Sequence, residues 1–452
     1  MQTIELNSVT RVSGEVKDET PLAVAVCGAG YVGLSTALAL AHVGHNVTCV
    51  DVDKNKVAKL RAGELPFYEP HAQALLTSLT DRISFTTNFE DLRGSRVTII
   101  AVGTPTFEDG ISDLAALWSV VEEIRAIADN SPILIINKST APIGTVRKIQ
   151  QKVRSTPSIS VVSSPEFLRQ GFALRDTFYP ERIVVGCDDA LAESILLRLY
   201  RPIVEQSFRE PSSLPRPNGY REPVWVCTDT ASAELTKYAA NAFLATKISF
   251  INEIAELAEL VGANVSDVAH AIGVDKRIGS DFLMAGLGWG GSCFPKDTLA
   301  LVASGRRLGA PMEIVGAARA TNQRQRERFV RKINDLVGSL DGKKIVLLGM
   351  TFKPGTDDLR DAPSLDIARL LIDFGAEIEM HDPVARPGDI KALARNADAI
   401  ALVTEWPVYS ELDWKSIASE MRGDVVVDGR NSLDRSAIQE AGLRWTGMGV
   451  TK

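Results

Sequence analysis

Leu22-Ala-Val-Ala-Val-Cys27, then Gly28-Ala-Gly30-Tyr31-Val32-Gly33, then Leu34 to His42 is the stretch that decides the fold. Its opening residues are apolar and β-branched, as in a buried strand. Its closing residues are rich in Ala and Leu, as in a helix, and the glycines lie between. In that order the glycines permit a tight turn, backbone approach to a pyrophosphate and close helix packing. The helix N-terminus offers N–H groups and partial positive charge. A second strand, Asn46 to Val50, ends in Asp51, where a carboxylate can accept the ribose hydroxyls of NAD. The alternative, a ligand-free α/β turn, leaves the acidic residue at that strand end without a purpose. A carboxylate there also disfavours the 2′-phosphate of NADP, although Lys54 and Lys56 keep that cofactor open.

The alternation continues outward. Arg96 to Val102 reads as a strand ending in Gly103-Thr104-Pro105-Thr106, and Ile133 to Asn137 as one ending in Lys138-Ser139-Thr140-Ala141-Pro142. Both put hydroxyls at the carboxyl ends of strands, where doubly wound sheets bind ligands; simple loop punctuation is the competing reading. Ser160 to Ser163 and Arg182 to Gly186 are further strands. Between them Ser164-Pro165-Glu166 reads as a first helical turn in which Glu166 favours the N-terminus. Glu205 to Pro223, with Pro211, Pro215, Pro217 and Pro223, reads as a long exposed loop. From Ala231 to Val261 a helical stripe of Leu235, Tyr238, Ala242, Ala245, Ile248, Ile251 and Leu257 predicts a long helix between domains.

From Lys343 the alternating plan restarts with strands at Lys344 to Gly349, Ala376 to His381, Ala399 to Thr404 and Asp424 to Asp428. Gly44 to Asp51 has an echo in Gly375 to Asp382. The phosphate fingerprint is replaced here by Phe352-Lys353-Pro-Gly355-Thr-Asp-Asp-Leu-Arg360, so a second nucleotide must bind differently. Lys353, Arg360 and Arg430 are strand-end cations for phosphate, or solvated charges. The expected fold is α/β, with two Rossmann-like doubly wound domains joined by a central long-helix region. The expected segments are a flexible extension at 1–20, an NAD domain at 21–225, a central region at 226–330 and a C-terminal domain at 331–452.

Composition narrows the function. At 45% hydrophobic and 24% charged residues the chain is of ordinary globular type. No apolar run reaches the roughly 20 residues that span a bilayer, and Met1 to Thr20 lacks the apolar centre of a signal peptide. A net charge of −7 without a long basic run speaks against nucleic acid and acidic membranes as partners. Cys27, Cys49, Cys187 and Cys227 lie in or beside apolar strand-like runs. An odd cysteine count without a C-x-x-C pair predicts neither disulfides nor a cysteine zinc site, and hence a reduced, cytoplasmic protein with no bound metal.

Cys293 stands apart from those runs. In Gly288-Trp289-Gly290-Gly291-Ser292-Cys293-Phe294-Pro295-Lys296-Asp297 a thiol sits on a glycine-built turn. The glycines permit close approach of a substrate, and Lys296 favours the thiolate. A buried cysteine beside a tight turn is the plain alternative. Lys237 and Asn241, spaced i, i+4, share a helix face that points either at a cleft or at solvent.

Together these motifs resemble the nucleotide-sugar 6-dehydrogenases, and most closely those acting on UDP-glucose, from about Pro21 to the C-terminus. The resemblance rests on 28–33, Val-Gly-Thr-Pro-Thr (102–106), Lys-Ser-Thr (138–140), Pro-Glu-Phe-Leu (165–168), Ala-Glu-Leu-Thr-Lys-Tyr-Ala-Ala-Asn-Ala-Phe (233–243), Arg-Ile-Gly (277–279), Gly-Gly-Ser-Cys-Phe-Pro-Lys-Asp (290–297) and Phe-Lys-Pro-Gly-Thr-Asp-Asp (352–358). It implies a homodimer or higher oligomer and a four-electron oxidation of the C6 hydroxyl by two NAD+ in turn. The aldehyde is held on Cys293 as a thiohemiacetal and then a thioester. Lys237 and Asn241 stabilise charge on the C6 oxygen, Asp297 and Thr140 order a water, and Glu166 assists hydrolysis. The cofactor set it implies is Gly28, Gly30, Tyr31, Val32, Gly33, Asp51, Lys56, Thr104, Thr140, Gln170 and Arg360. The substrate set is Glu166, Phe167, Leu168, Lys237, Asn241, Arg277, Phe282, Gly290, Phe352, Lys353 and Arg430.

The chain departs from the family pattern at Gln170, where many relatives have a second carboxylate, and at Trp289, where Phe is commoner. The 205–223 loop is also longer than the family leads one to expect. GDP-mannose or a UDP-hexosamine is therefore the alternative substrate. An NAD-binding regulator without turnover is the reading from another class, which the presence of Cys293, Lys237 and Asn241 opposes.

Overall fold

The computed structural model describes residues 21–450; the N-terminal extension expected at 1–20 lies outside them. The chain divides into two compact units, the first ending at Ala239 and the second beginning at Ala240. The division falls within one helix, Thr230–Val261, inside the expected central region 226–330.

The first unit is built on β1 (Ala23–Cys27), β2 (Asn46–Val50), β3 (Ile83–Thr86), β4 (Val97–Ile100), β5 (Ile133–Asn137), β6 (Ile159–Ser163), β7 (Arg182–Gly186) and β8 (Val224–Thr228). They form one sheet in the order β3-β2-β1-β4-β5-β6-β7-β8. The first six strands are parallel, while β7 meets β6 antiparallel and carries β8 with it. Every residue of β4 is buried, as expected of a central parallel strand covered on both faces. The helix Tyr31–His42 is buried from Gly33 to Ala41, which explains its Ala/Leu content without a polar stripe.

The second unit carries β9 (Lys344–Leu348), β10 (Glu377–His381), β11 (Ala399–Leu402), β12 (Val425–Asp428) and β13 (Arg444–Gly447) in the order β10-β9-β11-β12-β13, all parallel. The echo seen in the sequence is structural. Gly28 (φ +102°) donates its N–H to Val50 O at 2.8 Å, and Gly349 (φ +95°) donates to His381 O at 2.8 Å. Asp51 and Asp382 then follow equivalent strands.

Two local expectations fail. Residues 205–223 have neither helix nor strand, but they are not simply exposed. Leu214 is buried in the first unit's core, with Phe208 and Tyr220 packed against it, and Tyr179 Oη donates to Leu214 O at 3.0 Å. Aromatic anchors hold the proline-rich segment down. Along the helix Thr230–Val261, Tyr238, Ala242, Ala245 and Ile251 are buried as expected, but Leu235 and Leu257 are exposed. With Phe243, Phe250, Leu260 and Val261 they make a second apolar face that the single stripe did not anticipate.

Candidate active site

The nucleotide end is set by packing. A Cβ on Gly28 would lie 2.7 Å from Ala101 O, and one on Gly33 would collide with the carbonyl of Gly28. Gly30 is different: a Cβ there would meet nothing within 4 Å. No protein neighbour requires that glycine, which leaves the backbone there open to close approach by a ligand. No side chain caps the helix that begins at Tyr31. Asp51 Oδ2 accepts the N–H of Ala29 at 2.7 Å and the ammonium of Lys56 at 2.8 Å, while Oδ1 accepts the N–H of Asp53. Burial works against ionisation of Asp51, but Lys56 and those N–H groups hold its carboxyl below the usual range. It is therefore an anion with acceptor capacity left for ribose hydroxyls.

Farther along the carboxyl edge, Asn137 Oδ1, Ser164 Oγ and Gln170 Nε2 are buried without a hydrogen-bond partner. Buried polar atoms are rarely left so. The loops here are tied together: Thr104 Oγ1 donates to Thr140 O at 2.5 Å, and Ser139 Oγ to Val102 O at 2.8 Å.

Glu166 is not in a helical turn. Residues 164–170 form a loop, and the next helix is Ala173–Phe178. Ser-Pro-Glu carries a helix-start pattern, but the turn closes instead through Glu166 Oε2, which accepts the N–H of Leu168 at 2.6 Å. Glu166 Oε1 pairs with Lys237 Nζ at 2.9 Å, with both side chains almost wholly buried. Burial opposes the charge on Glu166, yet Lys237 above all, with Leu168 N–H and Lys138, lowers its pKa below the ordinary glutamate value. Phe167 lies under two cations, Arg182 at 4.2 Å and Lys237 at 5.5 Å from the ring centre.

In the second unit Asn241 Nδ2 donates to Asp297 Oδ2 at 2.6 Å, and Asp297 is 1% exposed. Lys296 pairs with Asp297 Oδ1 at 2.5 Å. Its charge is thus engaged with the carboxylate. Cys293 sits immediately before the helix Phe294–Arg307, at its N-cap, where the helix field favours a thiolate. Ser292 Oγ lies 3.7 Å from its sulfur. All five cysteines are thiols. Burial pushes Cys27 upward, Cys49 and Cys227 to about 12, and raises Cys187, so those four are disfavoured as nucleophiles.

The glycines before Cys293 are required by protein neighbours, a reason the sequence did not supply. A Cβ at Gly288 (φ +90°) would strike Asn322, one at Gly290 would strike the Asp361 carbonyl, and one at Gly291 would lie 2.6 Å from Phe352. Arg430 braces the same turn through Gly288 O, and also engages Val403 O and Glu405. Trp289 is buried, with its indole N–H on Ser249 Oγ at 3.0 Å. Phe282, at φ +64°, faces Phe294 at 6.3 Å between ring centres.

Arg277 is 75% exposed and paired with Asp275, Arg360 is paired with Asp358, and Lys353 lies 5.7 Å from the ring of Phe352. Asp382 accepts from Met350, Thr351, Trp406, Val384 and Ala385, so unlike Asp51 it is consumed by its own loops. The sequence reading missed Glu69 and Glu234. Glu69 accepts from Gly171 N and Ala173 N, and Glu234 from Gly144 N and Val146 N. Among the described residues no cluster of His, Cys, Asp and Glu could hold a metal, and no helix is long and apolar enough to cross a membrane.

The strand-turn-helix with its anionic Asp51 defines an NAD-binding dehydrogenase class, and comparison with known proteins agrees. Residues 22–204 match the NAD-binding domain of the UDP-glucose/GDP-mannose dehydrogenase family, 231–324 its central domain and 346–435 its UDP-binding domain. The chain belongs to that family, whose members are NAD-dependent dehydrogenases. It is 40% identical to a UDP-glucose 6-dehydrogenase of Pseudomonas aeruginosa, covering 94% of this chain and 96% of that one. It is 39% identical to one of Bacillus subtilis, covering 94% and 93%. A UDP-glucose dehydrogenase from Pyrobaculum islandicum superposes with a TM-score of 0.85 at 36% identity, covering 96% and 99%. A UDP-D-ManNAc dehydrogenase from Pyrococcus horikoshii gives 0.84 at 26%, covering 95% and 99%.

Proposed function

We propose that the chain oxidises the C6 hydroxyl of UDP-glucose to the carboxylate of UDP-glucuronate, with Cys293 retaining the aldehyde between the two oxidations. The observation that carries this is on one helix. Lys237 and Asn241, one turn apart and both buried, are each held by a buried carboxylate, Glu166 and Asp297 respectively. Buried donors locked by acids are preorganised for an oxyanion rather than for solvent.

NAD+, when bound by the Gly28 to Gly33 turn and Asp51, supplies the hydride acceptor. Lys237 and Asn241 stabilise negative charge on the C6 oxygen while its proton leaves through a water ordered by Asp297 and Thr140. The Cys293 thiolate adds to the aldehyde carbon and gives a thiohemiacetal. With a second NAD+ in place of the reduced first one as acceptor, the thiohemiacetal carbon gives up its hydride and its hydroxyl gives up its proton to leave a thioester, which water cleaves to the carboxylate and the thiol. Glu166, held as a carboxylate with lowered pKa, is a weak proton acceptor. Its role is to orient the hydrolytic water and anchor Lys237, since Gln170 cannot ionise.

We assign Arg277, Phe282, Gly290, Phe352, Lys353 and Arg430 to substrate binding on resemblance. The exposed face of Phe243, Phe250 and Leu257, in heptad spacing, fits association with a second copy. The thiol state of the cysteines fits a reducing cytoplasm.

The test is a panel of UDP-glucose, GDP-mannose and UDP-N-acetylhexosamines with NAD+, following NADH. UDP-glucose is expected to react by far the fastest, with two NADH per sugar nucleotide and no free aldehyde. Turnover of another member in its place, or a ratio of one, refutes the assignment.

A further inference from the structure

We propose that Glu234 is a positioning residue for the dehydrogenation: its buried carboxylate clamps the loop that carries Thr140 to the helix turn that carries Lys237. This rests on the reading above and adds a residue to it.

The helix Thr145–Val153 has no side-chain cap of its own, for its N-cap is Gly144 at φ +90°. First-turn N–H groups left without acceptors are costly when buried. Glu234 supplies the cap from far along the chain: Oε2 accepts Gly144 N–H at 2.5 Å and Oε1 accepts Val146 N–H at 2.8 Å. The side chain is 4% exposed, and its burial raises the carboxyl pKa. Maintaining a carboxylate at such a site is unfavourable unless its hydrogen bonds do something a neutral cap could not. A carboxylate offers both oxygens as acceptors, whereas an amide offers one oxygen and turns its NH2 toward the other N–H.

The location gives the clamp its consequence. The preceding loop is fixed at its start, because Lys138 N–H and Ser139 N–H both donate to Ile100 O, Ser139 Oγ donates to Val102 O, and Thr104 Oγ1 donates to Thr140 O. Its far end, at Gly144 to Val146, is held by Glu234. Glu234 also precedes Lys237 by three positions, so the two share a helix face. One carboxylate thus sets the distance between the Thr140 segment and the Lys237 ammonium. Misplacement of about 1 Å in such a pair can slow a reaction on the order of a hundredfold.

The experiment uses the full chain as E234Q and E234D, beside wild type. Three quantities are measured: the single-turnover rate of first NADH formation with UDP-glucose, the KM for NAD+, and amide hydrogen exchange over 138–146. E234Q is expected to slow the first hydride step by about tenfold to a hundredfold, with the KM for NAD+ within about threefold and faster exchange at 138–146. E234D keeps the carboxylate and is expected to fall between E234Q and wild type. Folded E234Q whose first-step rate stays within twofold of wild type overturns the proposal, even if it melts earlier. So does failure of both variants to fold, which makes Glu234 a folding determinant. Wild type inactive on every sugar nucleotide refutes the functional reading instead. Hydrogen exchange in E234Q then still decides whether the clamp exists.

Discussion

Removing the Lys237 ammonium separates its structural work from its chemical work. Lys237 lies 2.9 Å from Glu166, and both are buried. K237M keeps the length of the side chain but strands a carboxylate that retains only the Leu168 N–H and the more distant charge of Lys138. Breaking one side of a buried pair costs about 3–5 kcal/mol, and the remaining partners favour the lower end. The double variant K237M/E166Q removes both charges and should recover most of that loss, because burying a neutral amide is far cheaper than burying an unpaired carboxylate. Catalysis should not recover. Loss of a preorganised donor to a developing oxyanion costs about 2.7–4 kcal/mol, a factor of roughly 10²–10³ in rate. Urea unfolding gives the stability arm, and the single-turnover rate of first NADH formation gives the chemical arm without involving Glu166 in hydrolysis. If the double variant regains activity together with stability, Lys237 is a structural partner of Glu166 and the oxyanion role is wrong.

Three further expectations follow from individual groups. D51N should weaken NAD+ binding and narrow the preference over NADP+, since the anion facing the 2′ position is gone; an unchanged ratio of kcat/KM for the two cofactors contradicts the placement. The pKa of Glu166 is lowered in the folded protein, so its ion pair contributes fully above the unfolded value, near pH 4.3, and is lost as pH falls further. Wild type should therefore lose stability on that acid side more steeply than E166Q, and parallel curves would remove the pair from the account. F250E places a charge on the exposed apolar face. It should shift sedimentation toward a smaller species, and an unchanged sedimentation coefficient would free that face from any role in association.

Much of the fold was legible because it is written in local periods. The Leu22 to His42 stretch carries strand, turn and helix in consecutive residues, and Gly375 to Asp382 repeats the logic in the second unit. The failures are all tertiary. Ser164-Pro165-Glu166 carries the signal of a helix start, but Glu166 is drawn into an ion pair with Lys237, on a distant helix. The prolines of 205–223 signal exposure, yet Leu214 and Tyr220 anchor that segment to the core. Phe243 and Phe250 were invisible to a search for one buried stripe, since the long helix has two apolar faces. For the candidate site, the resemblance singled out the thiol, the lysine and the asparagine, of which the lysine and the asparagine are buried. Glu69 and Glu234 could not be singled out from sequence, because each caps a backbone about a hundred residues away or nearly so. The only local hint was an acidic residue flanked by apolar ones in Ala233-Glu234-Leu235. The glycines around Cys293 were legible as necessary, but only the neighbours Asn322, Asp361 and Phe352 reveal why.

The central claim is that Cys293 carries the substrate carbon between two oxidations, and replacing that sulfur tests it most directly. Wild type and C293S are to be compared for steady-state NADH formation from UDP-glucose and for NAD+ affinity. A serine hydroxyl is a far poorer nucleophile near neutral pH, and its ester is cleaved more slowly than a thioester. The account predicts loss of nearly all net turnover in C293S, with NAD+ affinity preserved because the cofactor turn lies in the first unit. A C293S enzyme that keeps most of the wild-type rate and still yields two NADH per UDP-glucose would contradict it.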